Sequence, residues 1–507
     1  MQFIFRRFNL SDYYHSVNTA APGAKPSAGS QSAGNSSRQN RKVPKRIANT
    51  VIQSLKGGVV PRIGLPYITV GRKNEIDALL NDVDVIADGG ASFRFIVGKY
   101  GSGKSFLLQT IRSYVMDRGF AVMDADLSPE RRLHGNRGEG MATYRELIQN
   151  LSTKTRPEGG ALPLILDRWI QNVQIETAAQ GVSPDSPEFP EAVEKRIYTV
   201  IRSMSELVHG FDFAHLLTMF YQSSRTGDEE TKAKVIKWFR GEYVNRRDAK
   251  AGLGVSMIIT DDDWYEYVKL FAWFLKQAGY RGLIVMIDEL VNIYKIPNSI
   301  TRQYNYEKIL TMYNDTLQGK AKYLGFIMCG TPQCIEDTHR GVYSYEALRS
   351  RLQEGKFSRE GMRDLFGPVI RLEPLTAEEM LVLCGRLADI HSQLYNYPVK
   401  LTDDDLAIFI RIEYGRIGAD SHITPREVIR DFIELLEILY QHPDVGVEEL
   451  LNSDSFSYAK DELGMKEEEE IKRISAPSAL SRRYSDRIVS VPAKEEGRKE
   501  NYAEFKI

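Results

Sequence analysis

Apolar residues along the chain follow two rhythms. Short, mainly apolar runs recur at Phe93-Arg94-Phe95-Ile96-Val97, Phe120-Ala121-Val122-Met123-Asp124-Ala125, Leu283-Ile284-Val285-Met286-Ile287, Tyr323-Leu324-Gly325-Phe326-Ile327-Met328-Cys329 and Val369-Ile370-Arg371-Leu372. They read as strands, and Leu283–Ile287, apolar throughout, suits a strand buried on both faces. Elsewhere the spacing is helical. A first helix is predicted from Arg46, with Ile47, Val51, Ile52 and Leu55 on one face and Gly57-Gly58 as its stop. Between about 143 and 278 the helical period is almost continuous, from Tyr144, Leu147, Ile148 and Leu151 through Trp169, Ile170 and Val173 to Val235, Ile236 and Phe239. One crossover helix suffices to join two parallel strands, so this length predicts an inserted helical subdomain. Within it, Thr260-Asp261-Asp262-Asp263 reads as a helix start with a capping box. Pro374-Leu375-Thr376-Ala377-Glu378-Glu379 caps another helix, and Thr424 with Pro425 opens a third as N-cap and first residue.

The two ends lack such patterning. Residues 1–45 read as a disordered basic arm: eight Lys/Arg stand against the single acid Asp12 up to Arg46, and Ala20–Asn40 is mostly Ala, Gly, Ser, Pro and Asn. The tail 451–507 is charged and apolar-poor, with Lys466-Glu467-Glu468-Glu469-Glu470 in it. Phe3-Ile4-Phe5 at one end and Tyr502 to Ile507 at the other are candidate docking peptides for protein partners, the alternative being plain mobile termini. Between the ends lie an α/β domain over 46–375 and a small helical region over 376–450.

Charge narrows the partners. With a net charge of −1 there is no global pull toward nucleic acid, so any such contact needs a local patch. Arg240, Arg246, Arg247 and Lys250 are the candidate for non-specific DNA contact, and a solvated face is the plainer reading. Three cysteines, Cys329, Cys334 and Cys384, are too few for a disulfide framework and lack partners at zinc spacing, which fits a reducing cytoplasm. No apolar run approaches membrane length, and the short apolar start Met1–Phe5, with its charge following, does not read as a signal peptide.

The chemistry sits between the first run and the helix after it. Gly98-Lys99-Tyr100-Gly101-Ser102-Gly103-Lys104-Ser105 satisfies G-x-x-x-x-G-K-[ST], and Phe106 begins the amphipathic stretch that follows. Such a loop turns successive backbone N–H groups inward at the positive end of a helix, where phosphates bind. The reading predicts ATP or GTP, with Lys104 on the β- and γ-phosphates and the Ser105 hydroxyl on Mg²⁺. Downstream, the run ending in Asp288-Glu289 delivers two carboxylates to a sheet edge, Asp288 to the Mg²⁺ shell and Glu289 to the attacking water.

These motifs, with Tyr67-Ile68-Thr69-Val70-Gly71-Arg72-Lys73-Asn74-Glu75-Ile76 ahead of the P-loop, resemble AAA+ ATPases of the origin-recognition and signal-transduction type, and more closely a family of BREX-type phage-defence ATP-binding proteins. The resemblance spans about 46–450 and implies an α/β P-loop core with a five-stranded parallel sheet ordered 5-1-4-3-2, a helical insertion and a C-terminal helical lid. It further implies that Pro66, Tyr67 and Ile68 line the base, that Thr331 senses the γ-phosphate at a strand tip, and that Arg426 is a lid sensor. Tyr345-Glu346-Ala347-Leu348-Arg349-Ser350-Arg351-Leu352 is similar to an arginine-finger box, with Arg351 favoured over Arg349, and a finger acting in trans implies a homo-oligomer. ATP and Mg²⁺ are the implied cofactors, and helicase or nuclease subunits the implied partners. The alternative is a nucleotide-dependent scaffold or switch that turns over little. Origin-recognition proteins carry a winged helix after the lid, and the residues past Leu451 cannot supply its core, which weighs against sequence-specific DNA reading.

Overall fold

The computed structural model describes residues 42–202, 208–353, 363–399, 401–416 and 424–451; the expected arm up to residue 41 and the tail from 452 lie outside the described residues. Five strands form one all-parallel sheet: β1 (Ala91–Val97), β2 (Ala121–Asp126), β3 (Leu283–Asp288), β4 (Leu324–Gly330) and β5 (Val369–Arg371). The order along the sheet is β2-β3-β4-β1-β5, which counted from the β5 edge runs 5-1-4-3-2. Every residue of β3 and β4 is buried, the physical reason for their unbroken apolar runs.

In chain order the longer helices are α1 (Lys45–Lys56), α2 (Lys73–Ala87), α3 (Lys104–Asp117), α4 (Glu139–Gln149), α5 (Leu162–Ala179), α6 (Phe189–Arg202), α7 (Gly210–Thr226), α8 (Glu229–Phe239), α9 (Arg246–Leu253), α10 (Trp264–Gln277), α11 (Ser299–Leu317), α12 (Glu346–Leu352), α13 (Ala377–Tyr395), α14 (Asp403–Arg416) and α15 (Pro425–Gln441). Helices α2 and α3 cover one face of the sheet, packing Leu79, Val83, Ile86, Leu107, Ile111 and Val115 against Ile96, Ile284 and Ile327. Among the described residues seven helices, α4 to α10, intervene between β2 and β3, with Phe213, Phe239, Phe271 and Phe274 in edge-to-face contact at their centre. The helix predicted at Thr260 starts later. Thr260 N and Oγ1 both donate to Asp263 Oδ1, at 2.6 and 2.8 Å, so the carboxylate closes a turn ahead of α10 and Asp263 becomes its N-cap.

The lid helices do carry their predicted caps: Thr376 with Glu379, and Thr424 with Glu427, are complete capping boxes. Their shared core has an unexpected member. Ala48, Val51 and Ile52 of α1 are fully buried among Met380, Leu387, Val428 and Phe432, so the chain's first described helix completes the core of the C-terminal helices. Burying Val51 and Ile52 there contributes on the order of 4 kcal/mol.

Candidate functional site

The glycine-rich segment is the turn from β1 into α3, and two glycines in it have backbone conformations that a side chain resists. Gly101 has φ +75° and Gly103 φ +91°, the left-handed region. At Gly101 space matters as well, since a Cβ would lie 2.5 Å from Thr424 Cβ of the lid. The loop is tied to the sheet at both ends. Gly98 N donates to Gly330 O at 3.1 Å, and the buried Arg72 donates through Nη2 to Ser102 O at 2.9 Å and to Glu373 O at 2.8 Å. Burial presses the Arg72 guanidinium below its usual pKa, and Glu75, 3.9 Å away, acts against that. Lys104 Nζ donates to the carbonyls of Gly98 and Lys99, both at 3.0 Å, so the ammonium lies across the loop. Ser102 Oγ is buried and without a partner.

Beside the loop stands the end of β3. Ser105 Oγ donates to Asp288 Oδ2 at 2.9 Å, joining the first residues of α3 to a strand two places away in the sheet. Asp288 Oδ1 accepts from Glu289 N at 2.8 Å, and Glu289, exposed, has φ +60°. A non-glycine residue in that region stores roughly 1–3 kcal/mol and marks a position fixed by its surroundings. Asn292 helps hold it: its N donates to Glu289 O at 3.0 Å, and its Nδ2 to Leu127 O at 2.8 Å. A third carboxylate, Asp126, pairs with Asp288 in register at the end of β2. Part of Asp126 reaches solvent, yet its pKa is raised, first by burial and then by the charges of Asp288, Asp124 and Glu146. The sequence offered no signal for Asp126 beyond an acid at a strand end; only the register makes it part of the site.

Helix α15 meets the loop directly. Arg426 Nη1 donates to Tyr100 Oη at 2.8 Å, with the guanidinium 5.3 Å from the Tyr100 ring centroid. Ile68 belongs to the lid core, and Tyr67 and Phe106 pack against it, whereas Pro66 faces a groove with Gln109, Arg112 and Met116 along α3. Thr331 caps the short helix Pro332–Glu336 by accepting from Cys334 N at 3.4 Å. On α12 Arg351 is exposed and donates to its own helix at Ala347 O, 2.7 Å away, and Arg349 is half-buried. Thus Gly98–Phe106, Asp288, Glu289, Arg426 and the new member Asp126 gather at one sheet edge. The cysteines are buried thiols, Cys334 pushed up to about 12 by burial, which makes them packing groups.

These features define an α/β protein with a five-stranded parallel sheet, whose carboxyl edge gathers the glycine-rich loop and the carboxylates of Asp288 and Glu289. A family model described as BREX system ATP-binding protein BrxC/D matches residues 43–455, and the chain belongs to that family. No curated protein sequence matches the chain. The local features fit the nucleotide that the family name implies: the buried Ser102 hydroxyl lacks a partner, the loop at Gly101 has no room for a Cβ, and a hydroxyl and a carboxylate suited to a hard cation meet at 2.9 Å. Among the described residues no helix is long and apolar enough to cross a membrane.

Proposed function

We propose that the chain is an ATP-hydrolysing P-loop subunit of the AAA+ type, working within a BREX phage-defence assembly. The observation that carries this reading is the meeting of Ser105 with Asp288 beside Lys104, at the start of a helix and the end of a strand. Backbone N–H groups from Lys99 to Lys104 would cradle the phosphates, and Lys104 would exchange its two carbonyl acceptors for phosphate oxygens. Ser105 and Asp288 would hold Mg²⁺, whose charge offsets the negative charge of the β- and γ-phosphates when bound. Glu289 orients the attacking water and takes its proton, and the fixed turn at φ +60° keeps that carboxylate in place.

Arg426 would leave Tyr100 for the γ-phosphate, coupling lid angle to nucleotide, with Thr331 at the adjacent strand tip. Pro66, Tyr67 and Ile68 are assigned to the base side. Arg351, or failing it Arg349, would act on the site of a neighbouring subunit, which supports a homo-oligomer in the cytoplasm. Helicase or nuclease subunits would dock through the terminal segments.

Turnover per subunit, measured against protein concentration, tests the assembly. It should rise as subunits associate, and mixing Arg351→Ala with Lys104→Ala chains should restore activity, because one interface then joins an intact loop to an intact finger. Trans-acting fingers contribute on the order of 10³-fold or more, so rescue stands well above either variant alone. A concentration-independent rate without rescue would remove Arg351 from the mechanism, and ATP binding without turnover at any concentration would favour a nucleotide-dependent scaffold.

A further inference from the structure

We propose that the corner between α8 and α9 of the insertion is a binding surface for the phosphate backbone of duplex DNA. Over residues 228–253, from the N-cap of α8 through α9, the chain has seven Lys/Arg (232, 234, 237, 240, 246, 247 and 250) and five acids (Asp228, Glu229, Glu230, Glu242 and Asp248), and the excess of cations lies toward α9, where Arg240, Arg246, Arg247 and Lys250 stand against Glu242 and Asp248. Arg246, Arg247 and Lys250 are exposed. At about 100° per residue they share an arc of roughly 100° on α9, adjoining the buried stripe of Ala249 and Leu253. Asp248 points elsewhere around the helix and is engaged by Asn245, which donates from Nδ2 to Oδ2 at 2.9 Å. The fold adds a cation that spacing alone does not place here. Lys237 Nζ sits 5.1 Å above the Tyr243 ring, whereas Lys234 and Lys232 are already paired, with Glu230 at 2.6 Å and Asp167 at 3.2 Å.

The composition of this surface selects the ligand. A protein partner would need an apolar or aromatic centre, and the exposed large apolar residue of the corner is Val244 alone among the described residues there. Single strands bind by stacking bases on exposed rings, but Tyr243 is 8% exposed and lies beneath Lys237. What is left is a set of donor-only cations, suited to backbone phosphates and indifferent to bases. The corner is also rigidly mounted. Tyr144 Oη donates to Phe239 O and Arg145 Nε to Gly241 O, each at 2.8 Å, both from α4. In turn Arg131 ties α4 to the site edge, donating to Glu146 at 3.1 Å and to Asp126 O at 2.9 Å.

The test is fluorescence anisotropy of a labelled duplex DNA of about 20 base pairs, titrated with the full chain across a salt series. The expected result is binding that weakens with salt, at about 0.9 log units of affinity per log unit of salt for each phosphate neutralised. The triple variant Arg246→Glu/Arg247→Glu/Lys250→Glu should bind at least tenfold more weakly at low salt and lose roughly two to three units of slope. Acids are favoured in the first turn of a helix, so Arg246→Glu and Arg247→Glu leave α9 formed, and unchanged ATP affinity checks the fold. The neutral variant Lys237→Gln should show a smaller loss of the same kind. Unaltered affinity and slope in the triple variant would overturn the proposal. So would tighter binding to duplex RNA, or no DNA binding while polyglutamate or anionic vesicles bind.

Discussion

Arg72→Met isolates the residue that fastens the loop to the rest of the molecule. Arg72 is 5% exposed and donates to two carbonyls, Ser102 O at 2.9 Å and Glu373 O at 2.8 Å. Removing the guanidinium leaves both acceptors without that donor, at about 1–3 kcal/mol each. It also takes a cation from Glu75, which is 2% exposed, although Arg363 Nη1 still donates to that carboxylate at 2.9 Å. The sum is roughly 3–5 kcal/mol, a large part of the about 5–15 kcal/mol that stabilises a typical folded protein. Urea unfolding followed by circular dichroism should show the midpoint falling with little change in slope. ATP affinity should fall too, because the Ser102 carbonyl that shapes the loop is no longer held. Arg72→Lys, with one ammonium for two diverging acceptors, should recover only part of the loss. An Arg72→Met protein within about 0.5 kcal/mol of its parent would refute this reasoning, since that is the range of an uninvolved surface site.

Glu289→Gln should bind ATP with parental affinity and hydrolyse it at least a hundredfold more slowly in a steady-state assay, since an amide cannot accept the proton of water. Glu289→Gly should be equally inactive yet about 1 kcal/mol more stable to urea, because φ +60° costs glycine nothing. His391 gives a pH prediction. Buried in the lid with Nδ1 2.8 Å from Tyr397 Oη, it has its pKa lowered by burial to about 4, against about 6.5 unfolded. The unfolded chain therefore takes up that proton first, so the stability tied to neutral His391 is complete above pH 6.5 and is lost as pH falls toward 4, at up to about 1.4 kcal/mol per pH unit. Melting curves of His391→Phe across this window should show a shallower fall, and parallel curves would refute the assignment.

The strands were legible because burial keeps their runs mainly apolar, wholly so in Leu283–Ile287, although β1 carries a buried Arg94 paired with Asp82. The loop was legible because glycines at fixed spacing are demanded by its backbone. Contacts made across the fold were not. The apolar face of α1 shows in the sequence, but periodicity cannot say that Val51 and Ile52 face the lid. Arg72 belongs to a recognisable stretch, yet its bonds to Ser102 and Glu373 span 30 and 301 residues. Asp126 acquires meaning only from lying opposite Asp288. At Thr260 the capping pattern was read and the helix start was misplaced, because the Asp263 carboxylate turns back on Thr260 and closes a turn of its own.

That the loop between β1 and α3 holds a nucleotide triphosphate is tested most directly by calorimetric titration of Mg²⁺·ATP into the parent chain and into Lys104→Ala. Lys104 lies across the loop with its two acceptors at 3.0 Å, and a charged hydrogen bond to phosphate is worth about 1.5–3 kcal/mol. The expected result is stoichiometric binding to the parent and an affinity lower by at least about tenfold in the variant. Equal affinity in the two proteins would place the nucleotide elsewhere and contradict the assignment of the loop.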